Sequence, residues 1–363
     1  MEGPVGVLVD RRTLRQALGG RRTLERIHFY RSIALEEGIA VLLFCVEQVD
    51  AGRGRTVGYI PTGKGWKRVR APVPRVVHKR VLFRTSAPLR TLARLQRRGV
   101  VFVNPYLIQN KARMGAALAR DERVRPHIPE THPYRFRLLE AFLKEGRGAI
   151  LKPRVGSVGK GLVRVLPLAR GRAEMTGRKA RILSFAALRR RLARSVPKGR
   201  YLLQEYLPLA RYRGRPFDLR VPVQKDGSGE WRTPGMVAKV AARHPFLTNM
   251  AQGGRAIPAE VAIAAAFPSA EVPEVIERVR RLAIDVARAV AREHPHAADL
   301  GLDIGVDRDG KPWLIEVNTR DQRYTFHEAG MHDTFRTLYK NPLLYCARLL
   351  DELRLDEGRQ EST

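Results

Sequence analysis

The chain has little cysteine, few acids for its bases and no long apolar run. Its two cysteines, Cys45 and Cys346, each sit in an apolar stretch. Two thiols so placed make neither a disulfide framework nor a CxxC metal pair, and buried free thiols are expected. Nine histidines are scattered without ligand spacing, and His294 and His296 flank Pro295 in an expected loop, so no zinc site is expected. No segment reaches the about 18 apolar residues of a membrane span, and the run from Val5 to Val9 is only strand length. The expectation is a cytoplasmic protein with no membrane partner.

Acid is outnumbered, with 36 Asp and Glu against 68 Lys and Arg and a net charge of +32 over 363 residues. Lysine is scarce too: 13 lysines stand against 55 arginines. Such a balance points to polyanions when it is clustered. Here Arg11-Arg12, Arg21-Arg22, Arg97-Arg98 and Arg189-Arg190-Arg191 are short and spread out, with no RNP-type aromatic strand or long basic arm. An arginine-biased composition accounts for the charge, and nucleic acid is not the expected partner. At this length, with 44% hydrophobic residues, two to three lobes and a substantial core are expected.

The most telling stretch runs from Gly301 to Asn318. It reads as two strands joined at Asp309-Gly310. Residues two apart on a strand share a face, so Glu316 and Asn318 project together, and closure of the hairpin sets Asp303 opposite them. Three hard oxygen donors then converge, a set suited to Mg²⁺ held between carboxylates and nucleotide phosphates. The alternative is that Asp303 caps a strand and Glu316 is a solvated edge residue.

Upstream, Ala149 to Val165 reads as a strand, a glycine-rich loop and a second strand. Gly156, Gly159 and Gly161 permit close backbone approach to an anion, and Lys152 ends the first strand beside them. A P-loop or a dinucleotide fingerprint needs a helix next, whereas Val163-Arg164-Val165 continues as strand. Tyr201 to Leu207 is an apolar strand ending in a polar hinge. Phe217 to Val223 places Asp218 and Arg220 on one face and Phe217, Leu219 and Val221 on the other.

With these elements in order from about Asn110 to Asn318, the chain resembles the ATP-grasp superfamily. The stretches Asp218-Leu219-Arg220, Gln224 to Arg232, Gly235 to Val240 and Thr248 to Gly254 sharpen the likeness. With Asn110-Lys111 and an amino-terminal region ending near Pro74 to Val77, they are similar to the YheC/YheD-type endospore coat-associated branch. The resemblance implies an α/β fold with α+β lobes, two ATP-grasp subdomains clasping ATP behind a small α/β amino-terminal domain. The expected divisions are 1–104, 105–205 with the glycine-rich lid, 206–355 with the metal site, and a flexible tail at 356–363.

The resemblance also implies ATP with one or two Mg²⁺ ions as cofactors. Lys111 and Lys152 would contact the phosphates, and Gly156, Ser157, Val158, Gly159, Lys160 and Gly161 would fold over them. Gln204, Glu205, Tyr206 and Leu207 would form the hinge, Glu205 accepting from the adenine amino group and the Leu207 backbone meeting the ring. Arg220, Lys239 and Asn249 would face the γ-phosphate or an acyl phosphate, and Asp303, Glu316 and Asn318 would ligate Mg²⁺. The implied activity is a carboxylate–amine or carboxylate–thiol ligase taking small-molecule or peptide substrates, with spore coat proteins as partners. These residue types suit phosphoryl transfer, in which cations and positioning do most of what the protein contributes.

The sequence also departs from that pattern. Many relatives follow the Glu-x-Asn with a small residue and Pro-Gly, where this chain has Thr319-Arg320-Asp321-Gln322-Arg323-Tyr324. Several ligases carry an arginine two residues before the first metal ligand, where Gly301 stands. Arg320 and Arg323 either bind an anionic substrate or are surface charge. A catalytically silent nucleotide-binding coat protein and a polyanion-binding module stand as alternatives.

Periodicity places strands at Val5 to Val9, Ile39 to Phe44, Val76-Val77, Val81 to Phe83 and Val100 to Val103, with a helix over about Leu24 to Glu36. Further helices are expected over Lys111 to Arg120, Arg135 to Lys144, Ser184 to Arg194, Pro273 to Arg292 behind the metal strands, and Leu338 to Leu353.

Overall fold

Three β-sheets carry the chain. The structure, a computed structural model, describes residues 3–83, 85–104, 111–154, 161–177, 179–197, 199–242 and 253–360.

The amino-terminal sheet contains β1 (Val5–Leu8), β2 (Val41–Phe44), β3 (Val49–Asp50), β4 (Arg55–Thr62), β5 (Gly65–Pro72), β6 (Val76–Lys79) and β7 (Val101–Val103). Its order is β3-β4-β2-β1-β6-β7, with β5 paired to β4. The four strands β2, β1, β6 and β7 are parallel. Their near-continuous apolar runs suit strands covered on both faces. Helices α1 (Arg11–Leu18), α2 (Ile27–Glu36) and α3 (Ser86–Gln96) make the crossovers. Val81 to Phe83 is irregular chain rather than the expected strand, because β6 ends at Lys79 and already has β1 and β7 on its two sides. The β4–β5 hairpin has no counterpart among the sequence expectations, since arginine and glycine interrupt its alternation.

The second sheet is antiparallel, in the order β12-β11-β10-β9-β13-β8. Its strands are β8 (Thr131–Pro133), β9 (Ala149–Pro153), β10 (Val163–Leu168), β11 (Arg172–Thr176), β12 (Ala180–Ser184) and β13 (Tyr201–Glu205). Before it comes α4 (Lys111–Leu118); α5 (Phe136–Lys144) and α6 (Phe185–Ser195) cover one of its faces. Leu139 and Phe142 of α5 and Leu188 and Leu192 of α6 pack on Leu151, Val165 and Leu203. Ser184 caps α6 by accepting the Ala187 amide at 3.3 Å. The expected hairpin across the glycine-rich loop is present, with Val163 paired to Leu151.

The third sheet runs β18-β17-β15-β19-β20, with two short strands added to β15. It comprises β14 (Arg211–Tyr212), β15 (Arg215–Lys225), β16 (Trp231–Arg232), β17 (Val237–Val240), β18 (Arg255–Pro258), β19 (Asp299–Val306) and β20 (Pro312–Asn318). Its helices are α7 (Ala259–Ala264), α8 (Val272–Glu293), α9 (Tyr324–Glu328) and α10 (His332–Gln360). The α8 stripe of Val275, Val279, Leu282, Val286 and Val290 packs on Phe217, Leu219, Val221, Val223, Leu300, Leu302 and Ile304. Each such buried side chain contributes roughly 1.5–3 kcal/mol, so this face anchors the lobe. The opposite face carries every second residue of β15 and β19 and meets α10 and the amino-terminal sheet.

Helix α10 runs to Gln360, past the end that apolar spacing places near Leu353. Ion pairs Arg348–Glu352 and Arg75–Glu357 support its polar last turns, a signal that hydrophobic periodicity does not carry. Cys45 and Cys346 are free and buried, as expected. Among the described residues no helix is long and apolar enough to cross a membrane.

Candidate active site

The site grows from strand register. Antiparallel pairing sets Lys239 of β17 beside Asp218 of β15, Arg220 of β15 beside Asp303 of β19, and Asp303 beside Glu316 of β20. Asn318 pairs with Gly301, two residues along β19. Because paired residues share a face, one charged row crosses four strands on the side away from α8. The hairpin closes at Asp309-Gly310 as expected. The Asp307 carboxylate accepts the Asp309 and Lys311 amides, both at 3.0 Å, and Gly310 takes a φ of +73°. A register shift between Asp303 and Ile304 breaks the ladder beside the carboxylate, as bulges near functional sites often do.

Asp303 lies in the middle of the row. Lys239 Nζ donates to its Oδ1 at 2.8 Å and Arg220 Nε stands 3.0 Å from the same atom. Asn318 Nδ2 donates to Oδ2 at 3.4 Å. Burial alone would raise the Asp303 carboxyl, but Arg220 and Lys239 outweigh it and hold the group below its ordinary value. Lys239, which also pairs with Asp218 at 3.3 Å, is likewise penalised by burial yet kept above its usual value by Asp218 and Asp303. Arg220 reaches Asp321 Oδ1 at 3.0 Å. Burial pushes the Asp321 carboxyl up.

Two carboxylates and an amide on one face are a hard-oxygen set that fits Mg²⁺ shared with phosphates. Glu316 and Asn318 are half-buried at the edge of the row, so the face is open there. Among the described residues no group of three or more His, Cys, Asp or Glu could hold a metal by itself, so the set fits a cation whose remaining ligands are phosphate oxygens or water.

The second sheet offers its open face. Leu151 and Leu203 point into the core under α5 and α6, so Lys152, paired with Leu202, and Gln204, paired with Ile150, project from the other side. Gly161 adopts φ +79°, and a Cβ there would stand 3.1 Å from both Pro153 and the Tyr201 hydroxyl. Gly156, Ser157, Val158, Gly159, Lys160 and Asn249 lie outside the described residues, as does the side chain of Lys111, which opens α4. Glu205 turns its carboxylate toward Arg147, 3.4 Å away. Arg164 lies 5.5 Å over the Tyr206 ring. Among the described residues the Leu207 amide has no acceptor, the condition for meeting an adenine edge. Just beyond it the hinge crosses onto the third sheet, where Ala210 N donates to Val306 O at 2.8 Å. Gly305 makes the crossing possible, since a Cβ there would stand 2.6 Å from the Leu209 side chain.

The two departures have physical causes. At Gly301 a Cβ would come within 2.8 Å of the Asp321 carboxyl carbon, so Asp321 occupies the space an arginine side chain would need. Arg323 is neither surface charge nor free to bind substrate. It is 2% exposed, donates to Asp299 Oδ2 at 2.6 Å and lies 4.3 Å over the Tyr339 ring. Sequence reasoning gave no role to Asp218 or Asp321, although Asp218 shares its strand face with Arg220. It overlooked the cluster around Asp299 altogether, whose only signal was that Asp299 lies four residues before Asp303 and therefore on the same face.

Two sheets joined by a hinge, with a charged row across the four strands β17, β15, β19 and β20, fit an ATP-grasp fold. The family model described as YheC/D-like ATP-grasp matches residues 99–349. The chain belongs to this family. It is 23% identical over 325 residues to the endospore coat-associated protein YheD of Bacillus subtilis, covering 84% of this chain and 70% of that protein. Among solved structures, D-cycloserine synthetase DcsG aligns with a TM-score of 0.51 at 16% identity, covering 97% of this chain and 100% of that one. The ATP-grasp ligase PsnB, solved with a minimal precursor, aligns at 0.50 and 16% identity, covering 93% and 100%.

Proposed function

We propose that the chain is an ATP- and Mg²⁺-dependent ligase joining a carboxylate to an amine or thiol through an acyl phosphate. The observation that carries this reading is the charged row Lys239–Asp218–Arg220–Asp303–Glu316–Asn318 on one face of the third sheet. Asp303, Glu316 and Asn318 would hold Mg²⁺, which when bound supplies charge neutralisation on the transferred phosphoryl group. Lys239 and Arg220, which stand beside Asp303, would meet the oxygens of that group. Lys152 and Lys111 would hold the remaining phosphates, and the Leu207 amide would meet the adenine ring. No side chain is needed as nucleophile, because the substrate carboxylate itself attacks the γ-phosphorus and ADP leaves. The amine or thiol then attacks the acyl carbon, inorganic phosphate departs and the nucleophile gives up its proton.

The coat name borne by YheD supports a role in endospore coat formation; the proposal places the enzyme in the cytoplasm and takes small-molecule or peptide carboxylates and amines as its substrates. Thermal unfolding with ATP alone, Mg²⁺ alone and both together tests the site, since a ligand bound only to the native state raises the transition. A shift that needs both supports the reading and opens a screen of acid and amine pairs for ADP release. No shift under any condition rejects it.

A further inference from the structure

Two cations beside this site have no ion-paired anion among the described residues. Arg320 is half-buried and makes no hydrogen bond or ion pair with any described residue. Lys79 is 5% exposed and gives one of its three ammonium hydrogens to the Val81 carbonyl at 3.1 Å. Arg80, next to Lys79 in the chain, donates to the carbonyl of Asp321, next to Arg320, at 2.8 Å, so the two cations stand in one neighbourhood.

The nearby carboxylates are engaged elsewhere. Asp10 caps α1, accepting from the Thr13 amide at 2.8 Å and its hydroxyl at 2.7 Å. Glu25 accepts from Arg80 at 3.1 and 3.0 Å and from the Tyr30 hydroxyl at 2.8 Å. A buried cation without a counter-ion is costly, and an incoming anion relieves that cost.

The location is that of a ligand crevice. Lys79 closes β6, and Asp10 and Asn104 follow β1 and β7, so all three stand at the carboxyl ends of parallel strands, where open α/β sheets bind their ligands. Asn104 fastens the Arg320 segment there. Its Nδ2 donates to the Thr319 carbonyl at 3.3 Å, and its Oδ1 accepts the Ala298 and Asp299 amides at 2.9 and 3.0 Å. Arg320 itself is two residues beyond Asn318, which places the unmatched charge beside the charged row.

We propose that Lys79 and Arg320 form the recognition site for an anionic oxyacid group of the substrate, a carboxylate or phosphate that takes no part in the reaction. This rests on the ligase reading and narrows its substrates to acids that carry a second negative group. The guanidinium fork takes two oxygens of such a group and the ammonium supplies a point charge.

Calorimetric titration of the full chain with glutarate, L-glutamate and inorganic phosphate tests it, repeated on Arg320→Gln and Lys79→Met. ATP with Mg²⁺ is titrated onto each protein in parallel. At least one anion binds the wild type, and each substitution weakens it tenfold or more while ATP affinity moves less than twofold. Glutarate or glutamate binding ahead of phosphate assigns a carboxylate-bearing substrate, and the reverse order a phosphorylated one. No anion binding by the wild type, or equal binding by Arg320→Gln, overturns the proposal. Arg320→Gln is half-buried and keeps the test decisive if Lys79→Met does not fold. Anion binding that depends on Arg320 in a chain that ignores ATP overturns the ligase reading and leaves the anion site standing.

Discussion

Asp299 and Asp303 stand four residues apart on the same face of β19, and each holds two cations. Asp299 is fully buried. Arg80 and Arg323 reach its Oδ2 at 2.9 and 2.6 Å, His78 stands 3.2 Å away, and Gln224 donates to Oδ1 at 2.7 Å. Burial alone would raise its carboxyl, but the two arginines hold it far below the ordinary range. Burial keeps His78 below its usual value. Asp303 has cations almost as close but lies at the border of the open face, with Glu316 and Asn318 beside it. The first cluster fastens the amino-terminal sheet to the third sheet, because its members come from β6, β15, β19 and the segment before α9. The second borders the open face, and under the proposed function it would exchange partners when phosphates arrive. Exposure of the neighbours, not the charges themselves, separates a fastening from a site. Asp321 joins the two, its carboxylate on Arg220 and its backbone carbonyl accepting from Arg80 at 2.8 Å.

The contrast is sharpest in stability. Asp299→Asn removes the counter-ion of two sealed arginines and is expected to cost about 3–5 kcal/mol in urea unfolding, the usual penalty for breaking a buried pair. Asp303→Asn should cost less, since Asp218 still faces Lys239 and Asp321 still faces Arg220, yet it should abolish the shift given by ATP with Mg²⁺. Equal stability losses in the two variants would erase the distinction.

Gly301→Ala tests the join between the clusters. The added methyl drives into the Asp321 carboxylate, and a loss of about 1–3 kcal/mol is expected from overpacking. Wild-type stability would show that Asp321 is free to move aside.

Acid unfolding probes the fastening from another side. Burial would raise the Glu25 carboxyl, but Arg80 and Arg323 outweigh it and hold the group at about 2, against an ordinary value of 4.5. A depressed carboxylate contributes stability above its unfolded value, and that contribution is lost as pH falls from about 4.5 toward 2. The wild type should therefore lose stability steeply through this window, and Glu25→Gln should start less stable and fall less. An unchanged slope in the variant would remove Glu25 from the account.

The smallest stability effect belongs to Lys152→Ala, on the open face of the second sheet. ATP affinity should fall by about tenfold, roughly 1.4 kcal/mol, with little change in the unfolding transition. Unfolding with ATP affinity intact would make Lys152 structural.

Much of this was legible in the chain itself. Asp303, Glu316 and Asn318 fall together because period-two alternation and an Asp-Gly turn leave a hairpin little choice of register. Arg220 was readable for the same reason. Arg323 was not, because a polar segment after a strand gives no sign of whether it lies on the surface or under another sheet. The Asp299 cluster brings Glu25, His78 and Arg80 against residues more than two hundred positions away. No local pattern encodes such a meeting.

By itself the sequence determined the elements, the order of the motifs and the residues that share a face of each strand, since these follow from periodicity and turn chemistry within a few residues. Only the tertiary structure decided which charges are sealed and which are left to a ligand. That depends on what covers each face, and the cover comes from α10 and the amino-terminal sheet, parts of the chain remote in sequence.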